Sequence, residues 1–472
     1  MGQEILQSRF SDRDFDEFRQ RLDRETEILG QWMKEGVFAA EGGVGGLELE
    51  AWLVDQKARP APLNEAFLAR LDSPLVVPEL ATFNVEVNAQ PRVLRGNALS
   101  RMHEELRDTW SGCNATASGL NARLAMIGVL PTLRETDLTL ANMSPLRRYR
   151  ALNEQVFRMR GGRPIKLRID GQDKLDLVHR DVMLEAAATS FQLHLKAGMG
   201  EVARLYNASK VLAAPMVAVS ANAPYLFGHD LWNETRIPLF EQAVSVGGTK
   251  HTTRVTYGVR YVKESIFECY EANRDRYPIL LPWVMDEDEN TLPHLRLHNG
   301  TIWRWNRPLI GFDADNRPHF RIEHRVMPAG PTLVDMIANA AFYFGAVRFL
   351  ASQAEVPEEH IPFSVSRANF YQAAKEGLDA EVTWLDGQRG RLADLCLDFL
   401  LPQAEEGLSN FGIESAEAAR WLGIIRDRIR MRRTGADWQR LWVQRHGADL
   451  QAMTLQYLEN QATDDPVHSW PL

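Results

Sequence analysis

The sequence predicts a single α+β domain with a helical C-terminal third, and three observations carry that expectation. Strict apolar–polar alternation recurs in short stretches through the first two thirds of the 472 residues. Helical spacing takes over from Leu333, and no compositional break marks a linker. In chain order, residues 15–36 read as an amphipathic helix ending near Gly36. A Gly-rich hinge, Glu41 to Gly46, then leads into an alternating strand from Leu47 to Val54. A second strand runs from Phe83 to Val87 and stops at Pro91. Residues 98–127 place Leu99, Leu106, Trp110, Cys113, Leu120 and Leu124 near one face, which predicts a long helix with Asn97 as its N-cap. The middle, 165–330, mixes Pro- and Gly-rich loops with three alternating stretches, Phe191–Lys196, Thr301–Arg307 and Phe320–Val326. Helices follow over 333–352, 366–376, 390–406, 415–432 and 436–461. The expected division of the one domain, 1–472, is therefore an N-terminal helix, a sheet-forming core over about 43–330 and a helical region over about 333–461.

Composition narrows the function. With 45% hydrophobic and 25% charged residues the chain reads as a soluble, folded protein. A net charge of −9 argues against general nucleic-acid binding, which needs a basic surface. Cys113, Cys269 and Cys396 lie far apart without a CxxC pair, so neither a disulfide scaffold nor a zinc knuckle is expected. The N-terminal residues lack the apolar core of a signal peptide, and Leu6 breaks the myristoylation pattern after Gly2. The best apolar run, Val211 to Gly228, is interrupted by Pro215, Asn222 and Pro224, so no membrane span is expected. A cytoplasmic location follows as the expectation.

Four strands share a pattern that points to chemistry. Alternate residues of a strand face opposite sides. Leu47 and Leu49 thus oppose Glu48 and Glu50, while Phe83, Val85 and Val87 oppose Asn84, Glu86 and Asn88. Likewise Phe191, Leu193 and Leu195 oppose Gln192, His194 and Lys196, and Phe320 and Ile322 oppose Arg321, Glu323 and Arg325. A half-solvated antiparallel sheet would alternate in the same way. Glu and Asn are poor strand formers, however, and their recurrence suggests a cavity lined by oxygen ligands. Carboxylates two residues apart on one face lie roughly 7 Å apart at Cα, a spacing that suits adjacent cations. Competing chemistries lack their motifs. The glycines of 42–46 do not form a P-loop, and Gly247-Gly-Thr-Lys250 has a lysine without the spacing. His103-Glu-Glu-Leu-Arg107 has Arg where a zinc protease needs its second His, and no GxSxG elbow occurs.

In their order along the chain, these residues resemble the type 2 glutamate–cysteine ligases and related carboxylate–amine ligases of the glutamine synthetase superfamily. The resemblance runs from about Gly43 to about Arg440. It rests on the Gly-rich entry to Glu48-Leu-Glu50, on Pro78-Glu79 with Glu86 seven residues later, and on Gln192-Leu-His194. Ala221-Asn-Ala-Pro224 with Phe227-Gly228, Arg321-Ile-Glu-His-Arg325, the stretch Phe370 to Leu378 and Thr434-Gly-Ala-Asp-Trp-Gln439 complete it. It implies an antiparallel sheet curved into a funnel, flanked by helices, with the active site on the polar face. It also implies that Glu50, Glu79 and Glu86 hold one magnesium and that Glu48, His194 and Glu323 hold another, manganese being the alternative cation. The implied reaction is phosphoryl transfer from ATP to a carboxylate, with glutamate the expected donor, followed by attack of an amine.

Arg325 matches the family's arginine after the last ligand and is the candidate to contact the transferred phosphoryl group; a salt bridge on the strand face is the competing reading. Gln192 and Arg307 join it as candidate nucleotide contacts, and Trp305 either lines the pocket or belongs to the core. Arg236, which follows the Asn-Ala-Pro motif, is a second candidate catalytic cation; a helix start on the surface is the competing reading. The segment from Thr249 to Arg296, with the acidic run Asp286 to Glu289, has no family counterpart and is expected to shape or cover the acceptor site. Expected partners are small molecules, an amino-acid carboxylate and an amine; self-association is left open. Two other readings stay open, a non-catalytic metal- or nucleotide-binding relative and a phosphotransferase of the phosphagen-kinase kind.

Overall fold

A computed structural model describes residues 4, 5, 7–247 and 253–472 of the chain. Leu6 of the myristoylation pattern, Lys250 of the rejected P-loop and the start of the 249–296 segment lie outside the described residues. One curled antiparallel half-barrel sheet organises the rest. Its strands are β1 (Val44–Val54), β2 (Val76–Pro78), β3 (Asn84–Asn88), β4 (Arg92–Val93), β5 (Arg123–Ala125), β6 (Ser190–Ala197), β7 (Asn306–Phe312) and β8 (Pro318–Pro328). The order across the sheet is β7-β8-β6-β1-β3-β2, and β4 and β5 also pair with β1.

Alternation decides which face goes where. Leu47, Leu49 and Ala51 of β1, Val85 and Val87 of β3, Phe191, Leu193 and Leu195 of β6, and Phe320 and Ile322 of β8 enter one apolar cluster. Helices Ala98–Ser118, Val202–Val211, Ala213–Ser220 and Leu333–Ser352 pack on this side. The register then places Glu50 opposite Glu86, Glu48 opposite Gln192, and His194 opposite Glu323 on the other face. Beyond Glu50 that face becomes apolar again: Trp52 stacks on Phe83 with ring centroids 5.6 Å apart, within a second apolar cluster. The polar stripe is confined to the middle of the sheet.

Several boundaries differ from the sequence expectations, each for a local reason. The expected glycine hinge is strand from Val44 onward, with Gly45 so close beneath Phe344 that a Cβ would meet the ring at 3.0 Å. The first helix starts at Asp12, because Ser11 and Asp14 form a capping box, and stops at Gly36 with φ 69°. The helix expected over 98–127 ends at Ser118; Asn121 adopts φ 57° and the chain turns into β5. Asn97 makes no capping bond and accepts instead from the Arg101 side chain. Residues 301–305 are not strand, and β7 begins at Asn306. The helix expected over 390–406 is a short turn from Leu392, a π-helical stretch Cys396–Leu400 and a helix Leu401–Phe411. Pro402, which has no N–H to donate, follows the stretch directly. The expected last helix divides at Gly447 into Gly435–His446 and Leu450–Gln461.

One expectation on membrane spans needs correction. Leu333–Ser352 is long and apolar enough to cross a bilayer by length and composition, yet 83% of its apolar window is buried inside the protein. It is sealed there by close contact: a Cβ on Gly407 of the neighbouring helix would lie 1.8 Å from the Gly345 carbonyl oxygen. The buried Asp335–Arg428 ion pair, 2.7 Å long, ties it to helix Ser415–Arg430.

Candidate active site

A cavity of about 510 Å³ sits on the polar middle of the sheet. Side chains from β1, β3, β6, β7 and β8 form its floor. Arg148, Tyr149 and Leu152 of helix Arg147–Met159 and Glu185 form one wall. Another wall comes from the segment in which the sequence reading places no motif, through Tyr270, Leu281, Glu287, Pro293 and Arg296. That wall is anchored to the first helix. Glu25 accepts from His294 Nδ1 at 2.5 Å and from the Leu295 N–H at 2.7 Å, and Arg24 pairs with Glu289 at 2.8 Å.

The five carboxylates and one histidine singled out in the sequence fall into two trios. Glu48, His194 and Glu323 form one, and Glu50, Glu79 and Glu86 the other; within each, one ligand atom from every residue lies within 4.8 Å of the others. In the first trio, His194 Nε2 is 3.1 Å from Glu48 Oε1, but both ring nitrogens are buried without a hydrogen bond of acceptable geometry. Burial works against the Glu48 carboxylate, and the adjacent His194 overcomes it and holds Glu48 below the usual range. Glu323 receives Arg307 in a bidentate pair, Nε and Nη2 at 2.8 and 2.9 Å, and Arg325 Nη1 at 3.2 Å. Against the cost of burial, these two arginines bring Glu323 down to about 2. Three donors leave Glu323 about one further lone-pair position.

In the second trio no arginine among the described residues is hydrogen-bonded to Glu50 or Glu86; Arg325 and Arg236 act on Glu50, and Arg148 on Glu79, without such a bond. Glu50 accepts from the Ser190 N–H at 2.6 Å and from Gln192 Nε2 at 2.9 Å, both neutral donors. Burial and then Glu79 push it up to about 7. Asn88 Nδ2 donates to Glu86 at 2.9 Å, while burial, Glu48 and Glu79 drive Glu86 well above the usual range. Glu79, on the loop after β2, accepts from the Leu80 N–H at 3.1 Å and from the Tyr149 hydroxyl at 3.4 Å. A fourth carboxylate that the strand pattern missed stands beside them: Glu185, raised by burial and by Glu79 and Glu50. It lies in a 3-10 segment, Val182–Ala187, where no alternation exists to reveal it.

The arginines separate by position. Arg325 occupies a bulge in β8 between His324 and Met327, and its Nη1 also donates to Gln192 Oε1 at 2.7 Å. Arg307, Arg321 and Arg325 all line the cavity, and Arg321 Nε is buried without a hydrogen-bond partner. Arg236 is placed differently from its sequence expectation. Its Nη2 donates to the carbonyls of Val326 and Arg325 at 2.5 and 3.2 Å, its Nε to Glu234 at 3.3 Å, and its guanidinium lies 5.3 Å from the Trp305 ring. It braces the bulge from behind and is not among the residues lining the cavity. Trp305 is buried, donating to Glu241 at 2.9 Å, and Trp303 lines the cavity in its place.

The donor set fits divalent cations of the magnesium class, which prefer hard oxygen ligands. Two observations support the fit: a buried imidazole with unbonded nitrogens beside two carboxylates, and a second carboxylate group crowded at the expense of its own ionisation. Glu48, His194 and Glu323 would hold one ion and Glu50, Glu79 and Glu86 another.

Known proteins place this geometry in context. A family model described as glutamate–cysteine ligase family 2 matches residues 44–460. Nothing among curated protein sequences matches. The fold resembles that of the glutamate–cysteine ligase of Francisella tularensis solved in complex with AMP, with a TM-score of 0.57 and 12% identity over 92% of this chain and 91% of that one. It also resembles a bifunctional glutathione synthetase from Pasteurella multocida, with a TM-score of 0.53 and 12% identity over 93% of this chain and 55% of that longer one. At these identities the likeness is one of fold.

Proposed function

Because the chain belongs to glutamate–cysteine ligase family 2, and is thereby an ATP-dependent carbon–nitrogen ligase, we propose that it activates the carboxylate of an amino acid, glutamate first among candidates, as an acyl phosphate that an amine then attacks. The observation that carries this reading is the pair of ligand trios beside Arg307, Arg321 and Arg325 in one cavity. Bound magnesium would neutralise the crowded carboxylates and offset the charge of the nucleotide's phosphates.

In this reading the donor carboxylate oxygen bonds to the γ-phosphorus of ATP as the bond to ADP breaks. The amine nitrogen then bonds to the acyl carbon, phosphate leaves with the C–O bonding pair, and the nitrogen gives up a proton. Arg325, fixed by Gln192 and Glu323, faces the charge that spreads over the phosphoryl oxygens. Gln192 and Arg307 orient the phosphate chain from the same floor. The acceptor amine lies against the wall formed by Tyr270, Leu281 and Trp303, where apolar surface excludes water from the acyl phosphate.

The test is an ADP- and phosphate-release screen with ATP, Mg²⁺, glutamate and a panel of amines. Release that requires both amino acid and amine is the expected result, and it disappears in Glu50→Gln and Glu323→Gln protein that remains folded. No ATP turnover under any pairing, in folded protein that binds metal, would favour a non-catalytic binding protein.

A further inference from the structure

Behind the wall of the active-site cavity lies a second, smaller one of about 50 Å³, lined by Tyr206, Lys210, Tyr261, Cys269, Tyr277 and Arg304. Two of these are cations in deep burial: Lys210 is 1% exposed and Arg304 7%. Neither forms an ion pair with any described carboxylate. The one acid at this cavity, Glu268, is committed elsewhere, to Arg260 and to the N–H groups of Lys263, Glu264 and Ser265.

The donors outnumber their acceptors. Lys210 Nζ has three N–H groups and one hydrogen bond, to the Tyr257 carbonyl at 2.7 Å. The remaining surface of its ammonium meets ring faces, 4.8 Å from the Tyr206 centroid and 5.2 Å from that of Tyr257. Arg304 stands over Tyr277 at 5.6 Å, and its Nη1 is buried with no hydrogen-bond partner. Buried charges are ordinarily paired, because transfer of an unpaired ion from water costs several kcal/mol. Aromatic faces offset only part of that cost for a desolvated cation. Burial, opposed by the nearby Cys269 and reinforced by Arg304, pushes Lys210 down to about 7.

We propose that this cavity is a binding site for one small inorganic anion, of halide or bicarbonate size, held between Lys210 Nζ and the Arg304 guanidinium. The volume sets the scale: at about 50 Å³ the space is about a tenth of the 510 Å³ catalytic cavity and suits a few particles of water size. The site also has a structural position. Helix Phe267–Arg276 turns Cys269 toward this cavity and Tyr270 toward the catalytic one, and Arg304 directly follows Trp303 of the catalytic wall. A bound anion therefore pins the wall against which the acceptor lies.

The experiment uses the full chain and does not depend on ligase activity. Crystals soaked in bromide are expected to give an anomalous peak between Lys210 and Arg304. In solution, thermal unfolding in chloride is expected to exceed that in gluconate at equal ionic strength by about 2 °C or more. Lys210→Met, close in shape and uncharged, should lose both the peak and the chloride increment, and Arg304→Gln provides a second variant should the first fail to fold. Absence of the peak in wild-type crystals overturns the proposal. So does a chloride increment that persists in either variant, or one that Cys269→Ala abolishes while the peak is missing, since the thiol would then be the counter-charge.

Discussion

Glu323 and Glu50 stand on the same polar face, separated by one strand, and burial penalises both carboxylates. Around Glu323 the sheet supplies two arginines, and the carboxylate stays ionised down to about pH 2. Around Glu50 it supplies a serine N–H, a glutamine amide and three further acids, and the carboxylate is pushed up to about 7. Neighbouring positions of one sheet thus differ in who provides the compensating charge. Arginines hydrogen-bond directly to Glu323 of the first trio; the direct partners of Glu50 and Glu86 are neutral, and Arg325 and Arg236 offset only part of the crowding at Glu50. Stability and ligand binding should therefore respond in opposite senses to mutation in the two trios.

The largest contrast is expected from single neutralising changes in metal-free protein. Glu323→Gln strands Arg307 and Arg325 in burial and should cost about 3–5 kcal/mol, measured by denaturant unfolding. Glu86→Gln removes repulsion and should raise the midpoint. A Glu86→Gln protein that is destabilised as much as Glu323→Gln would remove the distinction. Next in size, Arg236→Met should lower kcat by about tenfold to a hundredfold with little change in the KM for ATP, because the variant loosens the bulge that holds Arg325. Arg236→Lys should recover part of the loss; equal effects on kcat and KM would instead mark a substrate contact. The smallest effect is on pH dependence. Glu50 and Glu86 bind protons more tightly folded than unfolded, so metal-free stability should fall as pH rises from about 4.5 to about 7. Glu48 and Glu323 are depressed, and their contribution is lost only below about 4.5, as pH falls toward about 2. Saturating Mg²⁺ should flatten the upper slope; an unchanged slope in thermal melts with and without the ion would count against the metal assignment.

What could be read from residues alone was what period two can encode. Glu48, Glu50, Glu86, Gln192, His194 and Glu323 share a face because alternation puts them there, and the observed register sets them side by side. Alternation says nothing about loops, so Glu79 came only from the family resemblance, and Glu185 had no signal in its 3-10 segment. Arg236 begins a helix, as one of its two readings had it, but is buried against the carbonyls of β8, a contact that its motif could not show. Trp305, left open between pocket and core, is buried in the core: its segment is not strand, so its parity does not follow that of Arg307. The wall over 270–296 was legible only as an unmatched stretch, since its contacts to the first helix span about 270 positions.

Those long spans set an order of events during synthesis. Glu25 can meet His294 only after the segment near 294 has left the ribosome, and strand β5 is secured by Gln461, whose side chain bonds to Met126 and Leu124 more than 330 positions earlier. The central strand β1 therefore emerges long before β8 and the C-terminal helices that cover its apolar face. For that interval its edge and its apolar residues are exposed, the condition under which large β-containing chains aggregate. The catalytic cavity cannot be assembled until Arg325 has been made, although Glu48 and Glu50 of its floor are among the earliest residues.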